Sequence, residues 1–116
     1  MRYEVCKSVD LSRGEMRGVV LGRTPIVVLR TPVGDVGAVA DRCPHRGAKL
    51  SGGVLEETVA SDGIGEVRMS GEFHVRCPWH RFQFDASDGI CGVDRRQRVR
   101  VFPATEEDGM VVVEAG

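Results

Sequence analysis

The sequence predicts an all-β domain, a small antiparallel sandwich or barrel, on three observations. β-Branched residues dominate the apolar set, with nineteen Val against five Leu and three Ile, a bias toward pleated strands over helices. Short apolar runs follow one another with no sustained helical period. Turn signals separate them at short intervals.

Eight runs read as strands: residues 3–7, 16–21, 25–30, 36–40, 73–76, 82–85, 99–102 and 110–114. Between them stand Gly34-Asp35, Ser51-Gly52-Gly53, Ser61-Asp62-Gly63, Ser87-Asp88-Gly89 and Asp108-Gly109, combinations that suit tight reversals between antiparallel strands. Residues 53–72 fit this pattern less well, because Val54, Leu55, Val59 and Val67 are mixed with five carboxylates and four glycines. They read as an insertion, a partly ordered excursion with 54–59 as a weak strand and 61–65 at its tip.

A chain of 116 residues has room for one hydrophobic core, so residues 1–116 are expected to form a single domain without a catalytic domain beside it. The formal net charge of -1 gives no reason to expect nucleic-acid binding or adhesion to an anionic membrane. Met1-Arg2-Tyr3-Glu4-Val5-Cys6-Lys7 lacks an apolar signal region, and the longest strongly apolar stretch, Ile26 to Leu29, is far too short to span a bilayer. The expectation is therefore a cytoplasmic protein without a membrane partner. In a reducing compartment the four cysteines are metal ligands or free thiols rather than disulfides.

Chemistry concentrates in Cys43-Pro44-His45-Arg46-Gly47 and, after a long spacer, Cys77-Pro78-Trp79-His80-Arg81. Each segment supplies one thiol and one imidazole. Cys43, His45, Cys77 and His80 therefore form a candidate Cys2His2 metal site, which the ligand types leave open to an iron-sulfur cluster or to zinc. Structural zinc sites usually join Cys to Cys and His to His rather than alternating them, which favours the cluster.

The segments 43–51 and 77–80 resemble the two cluster loops of the Rieske family, with C-x-H and a following Gly in one loop and C-x-x-H in the other. Phe84-Asp85, Ser87-Asp88-Gly89 and the run Arg98-Val99-Arg100-Val101-Phe102-Pro103 are similar too, so the resemblance covers residues from about 36 onward. It implies a Rieske-like fold in which loops of about residues 41–52 and 76–86 form a cluster-binding subdomain. It also implies a 2Fe-2S cofactor, with Cys43 and Cys77 on one iron and His45 and His80 on the other. Around these ligands, Pro44 and Pro78 are expected to stiffen the loops, and Gly47 to allow close backbone approach. Arg46, Trp79 and Arg81 complete the flanks. The function implied is one-electron transfer from a flavin reductase to an oxygenase or other terminal oxidoreductase. Alternatives are a regulatory or small subunit of a redox enzyme, and a zinc-stabilised interaction domain.

Departures from the family's high-potential branch are informative. Where that branch carries a disulfide this chain has Ala48 and Trp79, and where it carries a Ser and a Tyr after the second His this chain has Phe82 and Phe84. Loss of two hydroxyl donors withdraws stabilisation from the reduced cluster, so a low-potential ferredoxin is expected. Thirty-one residues separate His45 from Cys77, a longer spacer than the resemblance implies. Once the cluster is served only His74 remains, too few imidazoles for a mononuclear iron held by two His and a carboxylate. His74 reads as an ordinary strand residue, Cys6 and Cys91 as free thiols, and Arg95, Arg96, Arg98 and Arg100 as the basic face of a half-exposed strand. Arg42, Arg46, Lys49 and Arg81, offset by Asp41 and Asp85, give the cluster mouth a basic rim suited to an acidic partner.

Overall fold

The computed structural model describes residues 1–44, 47–63, 66–78, 82–92 and 94–115, with the backbone alone for 59–63 and 66–70. Among the described residues ten strands build three antiparallel sheets, with short 3-10 turns at Ser8–Asp10 and Leu50–Gly52 and no α-helix. The first sheet has the order β1 (Arg2–Lys7), β10 (Met110–Glu114) and β9 (Ala104–Glu107). In the second, β2 (Met16–Leu21), β3 (Thr24–Arg30), β4 (Val36–Ala40) and β8 (Val101–Phe102) lie side by side. The third joins β5 (Val54–Gly63), β6 (Glu66–Arg76) and β7 (Gln83–Asp85).

Strand β3 explains why the chain has one continuous apolar run. Side chains alternate across a strand, so Ile26 and Val28 enter one core while Val27 and Leu29 enter another, and all four are at most 1% exposed. The first core gathers Leu11, Ala38, Phe102, Val111 and Val113 around Ile26 and Val28. The second gathers Val39, Leu50, Val75, Phe84 and Val99 around Val27 and Leu29, and it also holds three cysteines. Arg30, at the end of β3, ties the layers together. Its guanidinium donates to the carbonyls of Leu11 (2.7 Å), Gly34 (2.8 Å) and Ser8 (3.1 Å) and pairs with Glu106 of β9. That pairing holds the Glu106 carboxyl below its ordinary range.

Three expected strands occupy their predicted ranges as β2, β4 and β10, and two others begin one residue early as β1 and β3. The run at 99–102 shortens to β8 because Val99 turns its N–H to the Gly89 carbonyl at 2.9 Å instead of to β4. Arg95 and Arg96 accordingly belong to a turn closed by Gln97 N–H to Asp94 C=O at 2.9 Å, not to the expected basic strand face. Strand β9 was not among the expected strands, which left 103–109 between the run at 99–102 and the one at 110–114 with Asp108-Gly109 as its turn signal. Asp108 and Gly109, both at positive φ (52° and 77°), form the two-residue loop of the β9–β10 hairpin.

The larger correction concerns residues 53–72. Instead of a weak strand ending at 59, β5 runs ten residues and pairs with an eleven-residue β6, which absorbs the expected strand at 73–76. Burial at the root of this hairpin, through Val75 and Phe73, anchors the ribbon to the core. Opposite Thr58, β6 carries Ser70, Gly71 and Glu72 in a bulge, where Gly71 takes φ 78° and donates its N–H to Glu57 Oε2 at 3.0 Å.

Candidate metal centre

Pairing between β5 and β6 brings the two Cys-His segments together. β5 starts just after the first segment and β6 ends just before the second, and Val54 is the register partner of Arg76. Where the strands meet, the backbones touch: a Cβ built on Gly53 would lie 1.9 Å from the Arg76 carbonyl oxygen. A side chain is excluded there, and with it any widening of the gap between the segments.

The first loop is closed three times. At its centre Gly47 N–H donates to the Cys43 carbonyl (2.7 Å), and Cys43 N–H donates to Ala48 C=O (2.8 Å). Gly47 takes φ 74°, the left-handed conformation that this reversal requires. Among the described residues, the nearest atoms an added Cβ would meet belong to the Arg42 side chain, at 3.4 Å. At the neck of the loop the Asp41 carboxylate accepts from Ser51 N–H (2.8 Å) and from the Ser51 hydroxyl (2.7 Å). In the second loop Cys77 N–H donates to the Phe82 carbonyl at 2.7 Å, and β6 then continues the pairing with β7 through Val75 and Phe84.

Cys43 and Cys77 are 1% and 3% exposed, and both belong to the core that contains Leu50, Val75 and Phe84. Pro44, Gly47 and Pro78 stand at the surface. His45, Arg46, Trp79, His80 and Arg81 lie outside the described residues. Among the described residues no group of three or more metal-ligating side chains gathers, since both imidazoles of the pattern fall outside them.

Around the loops Arg42 and Lys49 are exposed, as a basic rim requires, but Asp41 is only 8% exposed and faces Ser51 rather than the rim. Burial pushes the Asp85 carboxyl up, yet the Ser87 hydroxyl and the amides of Ser87 and Asp88 outweigh it and hold the group below its ordinary range. His74 is a strand residue, as expected, but a buried one. Its ring nitrogens lie 2.8 Å from Thr58 Oγ1 and 2.9 Å from Glu56 Oε1, which fastens the root of the hairpin from within. Cys91 is fully buried, and it shares the core of Cys43 and Cys77.

Sequence reasoning counted Asp41 as a rim charge and Ser51 as a turn residue, and so missed their contact. An acid two positions before the first Cys, with a hydroxyl just after the loop, was the available signal.

A two-core β domain whose two adjoining loops each bury a cysteine in one core suits the Rieske class, and the chain matches the family model for the Rieske 2Fe-2S domain over residues 1–103. The chain belongs to that family, whose cofactor is a 2Fe-2S cluster, and the match includes the first 35 residues, beyond the part that carried the resemblance. The oxygenase component of dicamba O-demethylase from Stenotrophomonas maltophilia is 35% identical over 122 aligned positions, covering 98% of this chain and 31% of that protein. The ferredoxin component of the p-cumate 2,3-dioxygenase system from Pseudomonas putida is 28% identical, covering 97% of this chain and 84% of that protein. A crystal structure assigned to an NADH-dependent nitrite reductase small subunit from Mycobacterium tuberculosis superposes with a TM-score of 0.84 at 26% identity, covering 100% and 96% of the two chains. The chain spans under a third of the length of the demethylase component.

Two thiols buried in one core at adjoining loops are the donors that the thiolate-bound iron of such a cluster needs, so the described residues fit this cofactor. No helix among the described residues is long and apolar enough to cross a membrane.

Proposed function

We propose that this chain is a one-electron carrier whose 2Fe-2S cluster is held by Cys43 and Cys77 on one iron and by His45 and His80 on the other. The observation that supports this most is the burial of Cys43 and Cys77 in one core, at two loops joined by the Gly53–Arg76 contact. When bound, the cluster takes up and releases one electron without bond-breaking chemistry. The chain's own residues shield and hold it. Val75, Phe84 and Leu50 exclude water beneath the thiols, and the amide-to-carbonyl bonds of Cys43 and Cys77 fix the backbone from which the thiols project.

The purified protein should be reddish-brown, contain two irons and two sulfides per chain, and show on reduction a rhombic electron-spin signal with average g below that of all-cysteine clusters. His80→Ala should abolish that signal and His80→Cys should convert it. A colourless protein with stoichiometric zinc would end the proposal.

The partners we propose are a flavin reductase as donor and an oxygenase or other terminal oxidoreductase as acceptor, consistent with the ferredoxin component among the relatives. A small-subunit role within a reductase is the second reading, favoured by the end-to-end superposition on the nitrite reductase subunit. In either case exposed Arg42 and Lys49 beside the first loop suit an acidic docking face. Electron-transfer rates to the partner should fall several-fold as ionic strength rises from low to physiological values, and Lys49→Glu should slow them without changing the visible spectrum. Rates indifferent to both would move the docking surface elsewhere.

A further inference from the structure

We propose that Asp41 and Ser51 are positioning residues for the cofactor, a side-chain clasp that shuts the neck of the first loop and holds Cys43 in ligating position. The inference rests on the ligand assignment proposed above and adds to it a part that no ligand pattern contains.

Four features single out this pair. Both carboxylate oxygens of Asp41 are used, one by the Ser51 amide and one by its hydroxyl, so the contact fixes the side chain and the backbone of Ser51 together. Asp41 is 8% exposed, and its own N–H donates to the Pro25 carbonyl at 3.0 Å, which fastens the clasp to the start of β3. Gly18 of β2 lies against the pair: an added Cβ there would meet Ser51 Oγ at 3.0 Å and Asp41 Oδ2 at 3.1 Å, so the glycine lets the β2 backbone cover the contact. Finally, the loop's other closures are backbone bonds spanning four and five residues, Cys43 to Gly47 and Cys43 to Ala48. Neither restrains how the loop as a whole leaves the sheet. Only the clasp, among the described contacts, spans its full length from 41 to 51.

The chemistry explains why a carboxylate is used. A buried carboxylate costs free energy unless hydrogen bonds satisfy it, so Asp41 selects the loop conformation that presents the Ser51 donors. Opening the loop strands the acid, and a closed loop keeps Cys43 two residues away at fixed height over the core. The second loop needs no such device, because β6 and β7 continue directly out of it as a paired hairpin.

The test compares Asp41→Ala, Asp41→Asn and Ser51→Ala with the wild type, by iron and sulfide content and by decay of the visible spectrum under an iron chelator. Asp41→Ala should lose its colour about tenfold faster than the wild type, the equivalent of one lost hydrogen bond to a charged group. Asp41→Asn keeps an acceptor for the Ser51 amide and a donor for its oxygen, and should stay within about twofold of the wild type. Ser51→Ala leaves one carboxylate oxygen without its donor, and should fall with Asp41→Ala; it carries the test alone if Asp41→Ala does not fold. Decay of Asp41→Ala and Ser51→Ala at the wild-type rate would overturn the clasp, as would Asp41→Asn losing its colour as fast as Asp41→Ala. A wild type that contains no cluster would instead overturn the ligand assignment, so the two failures are distinct.

Discussion

Gly53→Ala should lower stability by about 3 kcal/mol and strip the protein of its cofactor, while Gly52→Ala, one residue away, should do neither. A methyl on Gly53 would overlap the Arg76 carbonyl oxygen at 1.9 Å, whereas one on Gly52 meets nothing within 4 Å among the described residues. The backbone fixes where the Cβ stands and the atom it meets is a main-chain carbonyl oxygen, so no rotamer relieves the clash. Relief requires the end of the first loop to separate from the entry to the second, and that breaks the Val54–Arg76 register that aligns the two Cys-His segments. Thermal melting should place Gly53→Ala on the order of 10–20 °C below the wild type, and iron analysis should find it empty. Equal melting temperatures and equal iron content in the two variants would show that the contact is slack.

The reduction potential should lie at the low end of the Rieske range, below roughly 0 mV within a span of about -150 to +300 mV. Phe84 is the residue through which this is best probed. It is 1% exposed, it packs in the core that holds Cys43 and Cys77, and it is the cross-strand partner of Val75 and Cys91. Phe84→Tyr adds one hydroxyl to this dry site. If the hydroxyl donates to a cluster or ligand sulfur, voltammetry should record a higher midpoint with little change in melting temperature, because the donor stabilises the added negative charge. A hydroxyl that finds no acceptor would instead cost about 1–3 kcal/mol and leave the potential in place. Phe84→Ala should cost about 3–5 kcal/mol through the cavity it leaves. A wild-type midpoint near the upper limit of the range would refute the low-potential assignment.

The base of the fold was legible because its signals are local. A four-residue apolar run of β-branched character can be buried on both faces, and β3 is; Gly34-Asp35 and Asp108-Gly109 mark reversals that occur where they stand. Strand β9 was hidden because its outer residues, Thr105, Glu106 and Glu107, face solvent and carry no apolar pattern, their strand conformation being imposed by pairing with β10. The hairpin of β5 and β6 outran its expected length because backbone pairing carries it on to Gly63 and Glu66. In the candidate site the thiol and imidazole pattern announced itself through spacing. The supports did not, since the Asp41–Ser51 contact and the Gly53–Arg76 approach join residues ten and twenty-three positions apart, and only the folded chain brings them together.

The double-sided burial of β3 implies an order of events in the life of the protein. Among the described residues, none of either Cys-His segment belongs to the core of Leu11, Ile26, Val28 and Val113, whereas Cys43 and Cys77 help to build the core across β3. Losing the cofactor therefore removes support from one side of the strand and leaves the other side whole. The two halves should behave as separate foldons: before cofactor loading, amides of β3 and β10 stay protected from hydrogen exchange, while those of the loops and of β7 exchange freely. A chain awaiting its cluster is then a seated platform with an open mouth rather than an unfolded polymer, and it can be filled, emptied and refilled without passing through the unfolded state.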